Sequence, residues 1–330
     1  VDTDPMSLAR GPAKILTGNI FAQTEVQVAP IDGGEAGHTR PILKIQDGCN
    51  NRCAYCVIPF VRGRSRSLAP ARVLEEICRL TAAGYREVVL SGINLGSYGR
   101  DLVPRAELAD LLRRILDETP LERLRLSSIE PMDITQDLVE LFASTDRLAH
   151  HFHIPLQSGS DRILAAMHRW YRTEHYARRI ELIRERLPDA GIGADVIAGF
   201  PGETEEDHAA TMALVEKLSL TYLHVFSFSA RPGTKAAGMD GELSVEVIKR
   251  RSRELRALAA SKQAAFSATQ VGKTLCLLTL RRQGEDQGGA WTGALASNYV
   301  NVRVAGLWPP NQMLAAQITS AQESCLTGKP

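Results

Sequence analysis

Cys49, Cys53 and Cys56 stand with three and then two residues between them, in the stretch Lys44-Ile-Gln-Asp-Gly-Cys-Asn-Asn-Arg-Cys-Ala-Tyr-Cys56. Thiolate is the preferred ligand of iron–sulfur centres, and a loop this short wraps three thiolates around one face of a small cluster. Three cysteines on a cubane of about four irons leave one iron without a protein ligand. An open coordination position is what separates a reactive metal site from a structural one. The alternatives are structural zinc and chance clustering. A closed zinc site takes four ligands, usually as two close pairs, and the chain has no second pair; His38 could complete the set only if the loop folded back on itself.

Other polar residues stand where they could line a pocket. Ser91-Gly92-Ile-Asn-Leu-Gly-Ser-Tyr-Gly99, Ser127-Ser-Ile-Glu-Pro131, His153-Ile-Pro-Leu-Gln-Ser-Gly-Ser160 and Asp195-Val-Ile-Ala-Gly-Phe-Pro-Gly-Glu-Thr204 each close a β-rich run. Glycine lets backbone approach a ligand closely, although glycine-rich turns are also the ordinary way to join a strand to a helix. Strand alternation puts His151 and His153 on one face, compatible with a shared metal, or with buried histidines bonded to their neighbours. Arg62-Gly-Arg-Ser-Arg66, just past the cysteines, is either a solvated charge run or a flexible stretch for bidentate phosphate contact, with Arg62, Arg64 and Arg66 the candidate RNA contacts.

The elements that must position these residues follow a regular pattern from Pro41 to Phe228. Short β-rich runs at Ile42–Ile45, Glu87–Ile93, Leu124–Ile129, Phe152–Leu156, Ala194–Phe200 and Leu223–Phe228 alternate with helical stretches. In Thr173–Leu187, Thr173 can cap a helix whose Tyr176, Ile180, Ile183 and Leu187 share a face; Thr204 with Asp207 reads as a capping box. The pattern predicts a parallel α/β sheet, as an open sheet or as a full or partial barrel. From about residue 268, β-rich stretches at Thr274–Leu280, Asn298–Val304 and Met313–Ile318, with turns at Gly284–Gly289 and Pro309-Pro310, predict a small antiparallel barrel. We therefore expect a linker or domain remnant at 1–37, a core at 38–267 and an all-β domain at 268–330.

The net charge of +1 does not itself point to nucleic acid, but positive charge is clustered. His38–Pro70 carries six Lys/Arg against Asp47, and Val245–Lys262 six against Glu246 and Glu254. Cys78, Cys276 and Cys325 are too dispersed for a disulfide framework, which predicts a reducing, cytoplasmic setting. No apolar run reaches membrane-spanning length, so no membrane partner is expected.

The cysteine spacing, with Tyr55 before the last thiol, resembles the signature of radical S-adenosylmethionine (SAM) enzymes. That resemblance implies a partial six-stranded barrel, a [4Fe–4S] cluster whose free iron chelates SAM, and reductive cleavage of SAM to an adenosyl radical. The order of motifs, with Arg231-Pro-Gly-Thr234 and Leu295-Ala-Ser-Asn-Tyr-Val-Asn-Val-Arg-Val304 added, resembles the methylthiotransferases, whose C-terminal TRAM domain is an RNA-binding β-barrel. The turn Gly92–Gly99 is most similar to the branch that adds a methylthio group to threonylcarbamoyladenosine beside the tRNA anticodon. The isopentenyladenosine branch is the nearest rival, and a ribosomal-protein-modifying branch is more distant. The resemblance implies cluster ligation by Cys49, Cys53 and Cys56, and Tyr55 near the SAM adenine. It also implies cofactor contacts along Gly92, Gln157, Ser158, Gly159, and Asp195 to Gly199. Its partners would be tRNA and a flavodoxin-like or ferredoxin-like reductant. The family also has an N-terminal domain with three cysteines for a second [4Fe–4S] cluster. Nothing before Cys49 here is cysteine, so the chain is either a fragment of a longer enzyme or a naturally shortened one that cleaves SAM without inserting sulfur; we expect the fragment, binding one cluster. The readings that compete with this one are an RNA-binding module with structural zinc and a radical SAM enzyme for a small molecule.

Overall fold

The structure, a computed structural model, describes residues 20–26, 39–286, 288–322 and 325–330. His38 and most of the expected linker lie outside the described residues. Six parallel strands form the core: β1 (Ile42–Lys44), β4 (Glu87–Ser91), β5 (Arg123–Leu126), β6 (His151–His153), β7 (Gly191–Ala198) and β8 (Tyr222–Ser227). Each matches one of the runs read from the sequence. β1, β4 and β5 pair as one set and β6, β7 and β8 as another. Single parallel bridges, Leu124 to Leu148 and Ser128 to His153, carry the curve from β5 to β6. β1 and β8 are the two edges, so the strands make a partial barrel.

Helices cover the outside because their apolar residues recur at helical spacing. In α2 (Pro70–Ala82), Val73, Leu74, Ile77 and Leu80 are buried; in α3 (Leu108–Glu118), Leu108, Leu111, Leu112 and Ile115. The outer layer continues with α4 (Gln136–Ala143), α5 (Asp161–Ala166), α6 (Thr173–Arg186), α7 (Glu205–Lys217) and α8 (Val245–Ala268). Thr204 and Asp207 form the expected capping box. Thr173 does not cap α6: it is the first helical residue, and Arg172 holds the cap position with its N–H donated to His175 Nδ1. The Thr173 N–H is taken up by Asp161 from α5, so a neighbouring helix supplies the bond expected locally.

The C-terminal part is a closed five-stranded barrel of β9 (Thr274–Asp286), β10 (Gly289–Ala296), β11 (Asn301–Ala305), β12 (Met313–Gln322) and β13 (Cys325–Lys329). β10 and β13 were not read from the sequence, and β9 runs through the expected turn at Gly284. Gly284 faces Trp291 across the β9–β10 ladder, and a Cβ there would sit 2.5 Å from the indole. The glycine clears room for a ring and does not reverse the chain.

This barrel seats against the N-terminal ends of the core strands. Glu87 is fully buried between Arg123 and Arg125, with contacts of 2.5 and 2.9 Å. Those guanidiniums donate onward to the carbonyls of Cys276, Leu295, Ala296 and Ser297. Burial pushes the Glu87 pKa up, but the two arginines outweigh it and hold the carboxyl below its ordinary range. Buried charges of this kind persist only when paired and hydrogen-bonded throughout. Tyr299, from the turn between β10 and β11, reaches in to stack on His151 at 4.2 Å between ring centroids.

Candidate active site

The three cysteines lie on a loop clamped by a short antiparallel ribbon of β2 (Gln46–Asp47) and β3 (Arg66–Ser67). Gln46 braces it: its amide donates to the carbonyls of Asp47 and Gly48 and to Ser65 Oγ, while its Oε1 accepts the Asn94 N–H. Gly48 has φ +71°, and a Cβ there would sit 2.0 Å from the Arg64 carbonyl oxygen. Ala54 anchors the far end in an apolar knot of Ile163, Met167, Phe200 and Ala236. Its N–H donates to Met167 O and its carbonyl accepts from the Ala236 N–H. Phe21 and Val26, within the expected linker, belong to a short segment docked here: Phe21 lines the cavities beside the thiols, and the Glu25 carbonyl accepts from Arg66.

The donor set fits a cluster better than one ion. Among the described residues, the group whose ligand atoms converge within 4.8 Å is His153, Asp195 and His224, and the three thiols form no such group. A single zinc needs its sulfurs that close, whereas a cubane spreads them over separate irons. Donors already point at the sulfurs: Asn51 N–H reaches Cys49 Sγ at 3.4 Å, and Arg169 reaches Cys53 Sγ at 3.4 Å. Burial pushes the Cys49 and Cys56 thiols up, so without metal they are protonated at neutral pH. A cavity of about 470 Å³ opens beside Cys53 and Cys56, bordered by Arg52, Pro59, Phe60, His168 and Lys235.

Arg169 and Glu130 escaped the sequence reading as site residues. Arg169 is 8% exposed, paired with Glu130 and 4.9 Å from the Tyr171 ring centroid. Glu130 was in view within Ser127–Pro131, but nothing local to Met167–Tyr171 shows that Arg169 turns toward a thiol 116 positions away. Tyr55 packs against the Ala54 knot, where burial raises its hydroxyl pKa.

The other expected cofactor contacts divide into two sets. Gly92 faces Gln46, where a Cβ would come within 2.9 Å of the side chain, so it serves the cysteine loop. Gln157, at φ +66°, bonds β7 through its backbone. Asp195 points into the lumen between His153 and His224, at 3.1 and 3.2 Å. Ser158, Gly159 and Gly199 instead face the covering helices. Ser158 Oγ lies 3.4 Å from Thr211 Oγ1; a Cβ on Gly159 would meet Thr211 Cα at 2.5 Å, and one on Gly199 would meet Ile248 at 2.5 Å. Close helix packing accounts for both glycines.

One expected RNA contact is corrected. Arg66 is only 7% exposed: it pairs with Asp47 at 3.1 Å and donates to the carbonyls of Glu25, Arg62 and Arg64. Arg62 and Arg64 are exposed. On α8, Arg251 is likewise buried against Glu203 and Glu205, and Arg250 pairs with Glu205 and Glu254. His151 and His153 do not form a shared ligand set: among the described residues His153 converges with Asp195 and His224, while His151 Nε2 bonds the Tyr222 hydroxyl at 2.8 Å.

The radical SAM superfamily model matches residues 43–215. The tRNA-2-methylthio-N(6)-dimethylallyladenosine synthase of Syntrophobacter fumaroxidans is 41% identical over 258 residues, 78% of this chain and 56% of that protein. Aquifex aeolicus threonylcarbamoyladenosine tRNA methylthiotransferase MtaB is 35% identical over 303 residues, 91% of this chain and 70% of that protein. The radical SAM methyltransferase TsrM from Kitasatospora setae, solved with cobalamin and a [4Fe–4S] cluster, superposes with a TM-score of 0.52 at 22% identity. It covers 62% of this chain and 39% of its own, a likeness of fold alone. The chain belongs to the radical SAM methylthiotransferase family. It spans about half the length of several of the curated relatives it matches. Membership implies an iron–sulfur cluster and SAM, and Cys49, Cys53 and Cys56 fit that cluster.

Proposed function

We propose that the chain is the catalytic part of a tRNA methylthiotransferase, and that its nucleoside is threonylcarbamoyladenosine. The cysteine loop carries the first half of this reading. Cys49, Cys53 and Cys56 would hold one cluster, which, when bound, supplies one-electron cleavage of SAM to a radical. This chain's own residues do the positioning. Gln46 and Gly48 fix the loop, and Arg169 with Glu130 sets a guanidinium against the Cys53 sulfur. The electron would come from a flavodoxin-like or ferredoxin-like donor. A second cluster, as the resemblance implies, would need cysteines from outside residues 49–330. A cytoplasmic setting accords with a tRNA substrate.

The finer half rests on the lumen. The edge strand β8 turns Tyr222, His224 and Phe226 inward opposite His153 and Asp195, a surface with polar groups for an amide- and carboxylate-bearing substituent. The 35% identity to the Aquifex protein over 91% of the chain is consistent with this. The dimethylallyladenosine reading draws on the 41% identical Syntrophobacter protein, and an apolar substituent would leave those polar groups unmatched.

Anaerobic reconstitution should give brown protein with about four irons per chain, lost when the three cysteines become alanine; about eight would contradict the single-cluster reading. Nucleoside mass spectrometry then decides the substrate. The chain, fused to the part of a relative that lies outside the match, would be expressed in a host lacking its own methylthiotransferases. Methylthio-threonylcarbamoyladenosine in the tRNA supports the proposal, methylthio-dimethylallyladenosine sinks its finer half, and no product from a cluster-loaded, SAM-cleaving protein sinks the whole.

A further inference from the structure

Three strands away from the cysteine loop, His153 on β6, Asp195 on β7 and His224 on β8 converge inside the lumen. His153 Nε2 and His224 Nδ1 approach the same oxygen, Asp195 Oδ1, at 3.1 and 3.2 Å. We propose that these three side chains bind one divalent transition-metal ion, of the kind that two imidazoles and a carboxylate hold, such as Zn²⁺ or Co²⁺.

Two observations beyond the clustering point to a ligand. His153 is 8% exposed, yet its Nε2 has no hydrogen-bond partner although it lies beside a carboxylate. Its other nitrogen is already engaged, Nδ1 standing 2.6 Å from Ser128 Oγ. The direction of the Ser128 bond follows the imidazole tautomer; in the tautomer with the proton on Nδ1, the Nε2 lone pair faces Asp195 Oδ1, and a cation between them turns that repulsion into attraction. A second-layer partner on the far nitrogen is the usual arrangement for a metal-bound imidazole, because it fixes tautomer and ring plane. Tyr222 runs nearly parallel to the His153 ring, 15° apart with centroids 6.0 Å apart, and packs over Gly193, where a Cβ would sit 2.0 Å from its ring carbon. His224 is the open side of the site, with a side chain 55% exposed toward the lumen, so a bound ion would keep positions free for a substrate oxygen or water.

The site shares His153, Asp195 and His224 with the surface assigned above to the nucleoside's substituent but uses none of the thiols, so metal binding can be read without turnover and separately from the choice of nucleoside. The cluster-loaded full chain, equilibrated with zinc and dialysed, should retain about one zinc per chain by elemental analysis, in addition to its irons. In the chain with Cys49, Cys53 and Cys56 changed to alanine, Co²⁺ should give weak visible bands of a nitrogen and oxygen site without the intense sulfur charge-transfer band. His224→Ala, at an exposed position where folding is preserved, should weaken metal binding at least about tenfold, and Ser128→Ala about ten- to a hundredfold. Asp195→Asn should act like His224→Ala. Zinc retention well below one per chain, or Co²⁺ binding unchanged in both His224→Ala and Asp195→Asn, would overturn the proposal.

Discussion

Arg62, Arg64 and Arg66 form one motif in the sequence but play two roles in the fold. Arg66 ties β3 to Asp47 and closes the cysteine loop, whereas Arg64 projects into solvent. Changing Arg66 to alanine leaves the buried Asp47 carboxylate, which burial pushes up and its Gly48, Lys44 and Arg66 partners hold down, with only Lys44 and the Gly48 N–H, and frees the three carbonyls that Arg66 binds. We expect a lower melting temperature and slower cluster loading. Arg64→Ala should leave melting unchanged and reduce the slope of log affinity for tRNA against log salt by about 0.7–0.9, one phosphate contact. Equal melting temperatures for the two variants would refute this division. What was legible at this scale was chemistry that sits within a few residues, namely the thiols. Burial decides the fate of each arginine, and burial depends on Asp47 across the ribbon and on Glu25 from a distant segment.

Among the elements, the six core strands and the α7 cap were readable because strand and helix periods differ and because a capping box is local. β10 and β13 were missed because Gly289–Ala296 is mostly glycine and alanine and Cys325–Lys329 is short and carries Gly328, where a run of strand formers was expected; pairing within the closed barrel makes them strands. The α7 cap carries a pH signature. Burial pushes the Asp207 pKa up, but Arg162, Ser160 and Thr204 together hold it well below the ordinary carboxylate value of 3.8. Because the folded value lies below the unfolded one, the stabilisation is complete above the unfolded pKa and is lost as pH falls through the folded one. Thermal melts should therefore show an acid-side decline, below about pH 4, that is shallower in Asp207→Asn, which should already be less stable at pH 7. Parallel decline in both proteins would show that Asp207 contributes nothing to it.

Across the whole molecule, the two barrels are joined by charge in a dry place. Replacing Glu87 by glutamine leaves Arg123 and Arg125 buried without their counter-ion, a loss of about 3–5 kcal/mol for a broken buried pair. Since the same arginines grip the carbonyls of Cys276 and Leu295 to Ser297, the variant should loosen the joint before it unfolds the core. Faster amide exchange along β10 than along β7 is the expected pattern, and uniform change would count against it. No helix among the described residues is long and apolar enough to cross a membrane.

Tyr299 gives that joint a further meaning. Its ring caps His151 from beneath, in a stack that continues through Tyr222 toward His153. The C-terminal barrel thus reaches into the base of the core's lumen as well as lying beside it. A displacement of the C-terminal barrel would therefore be carried through Tyr299 to the rings of His151 and Tyr222, which makes this stack the mechanical link between the two barrels.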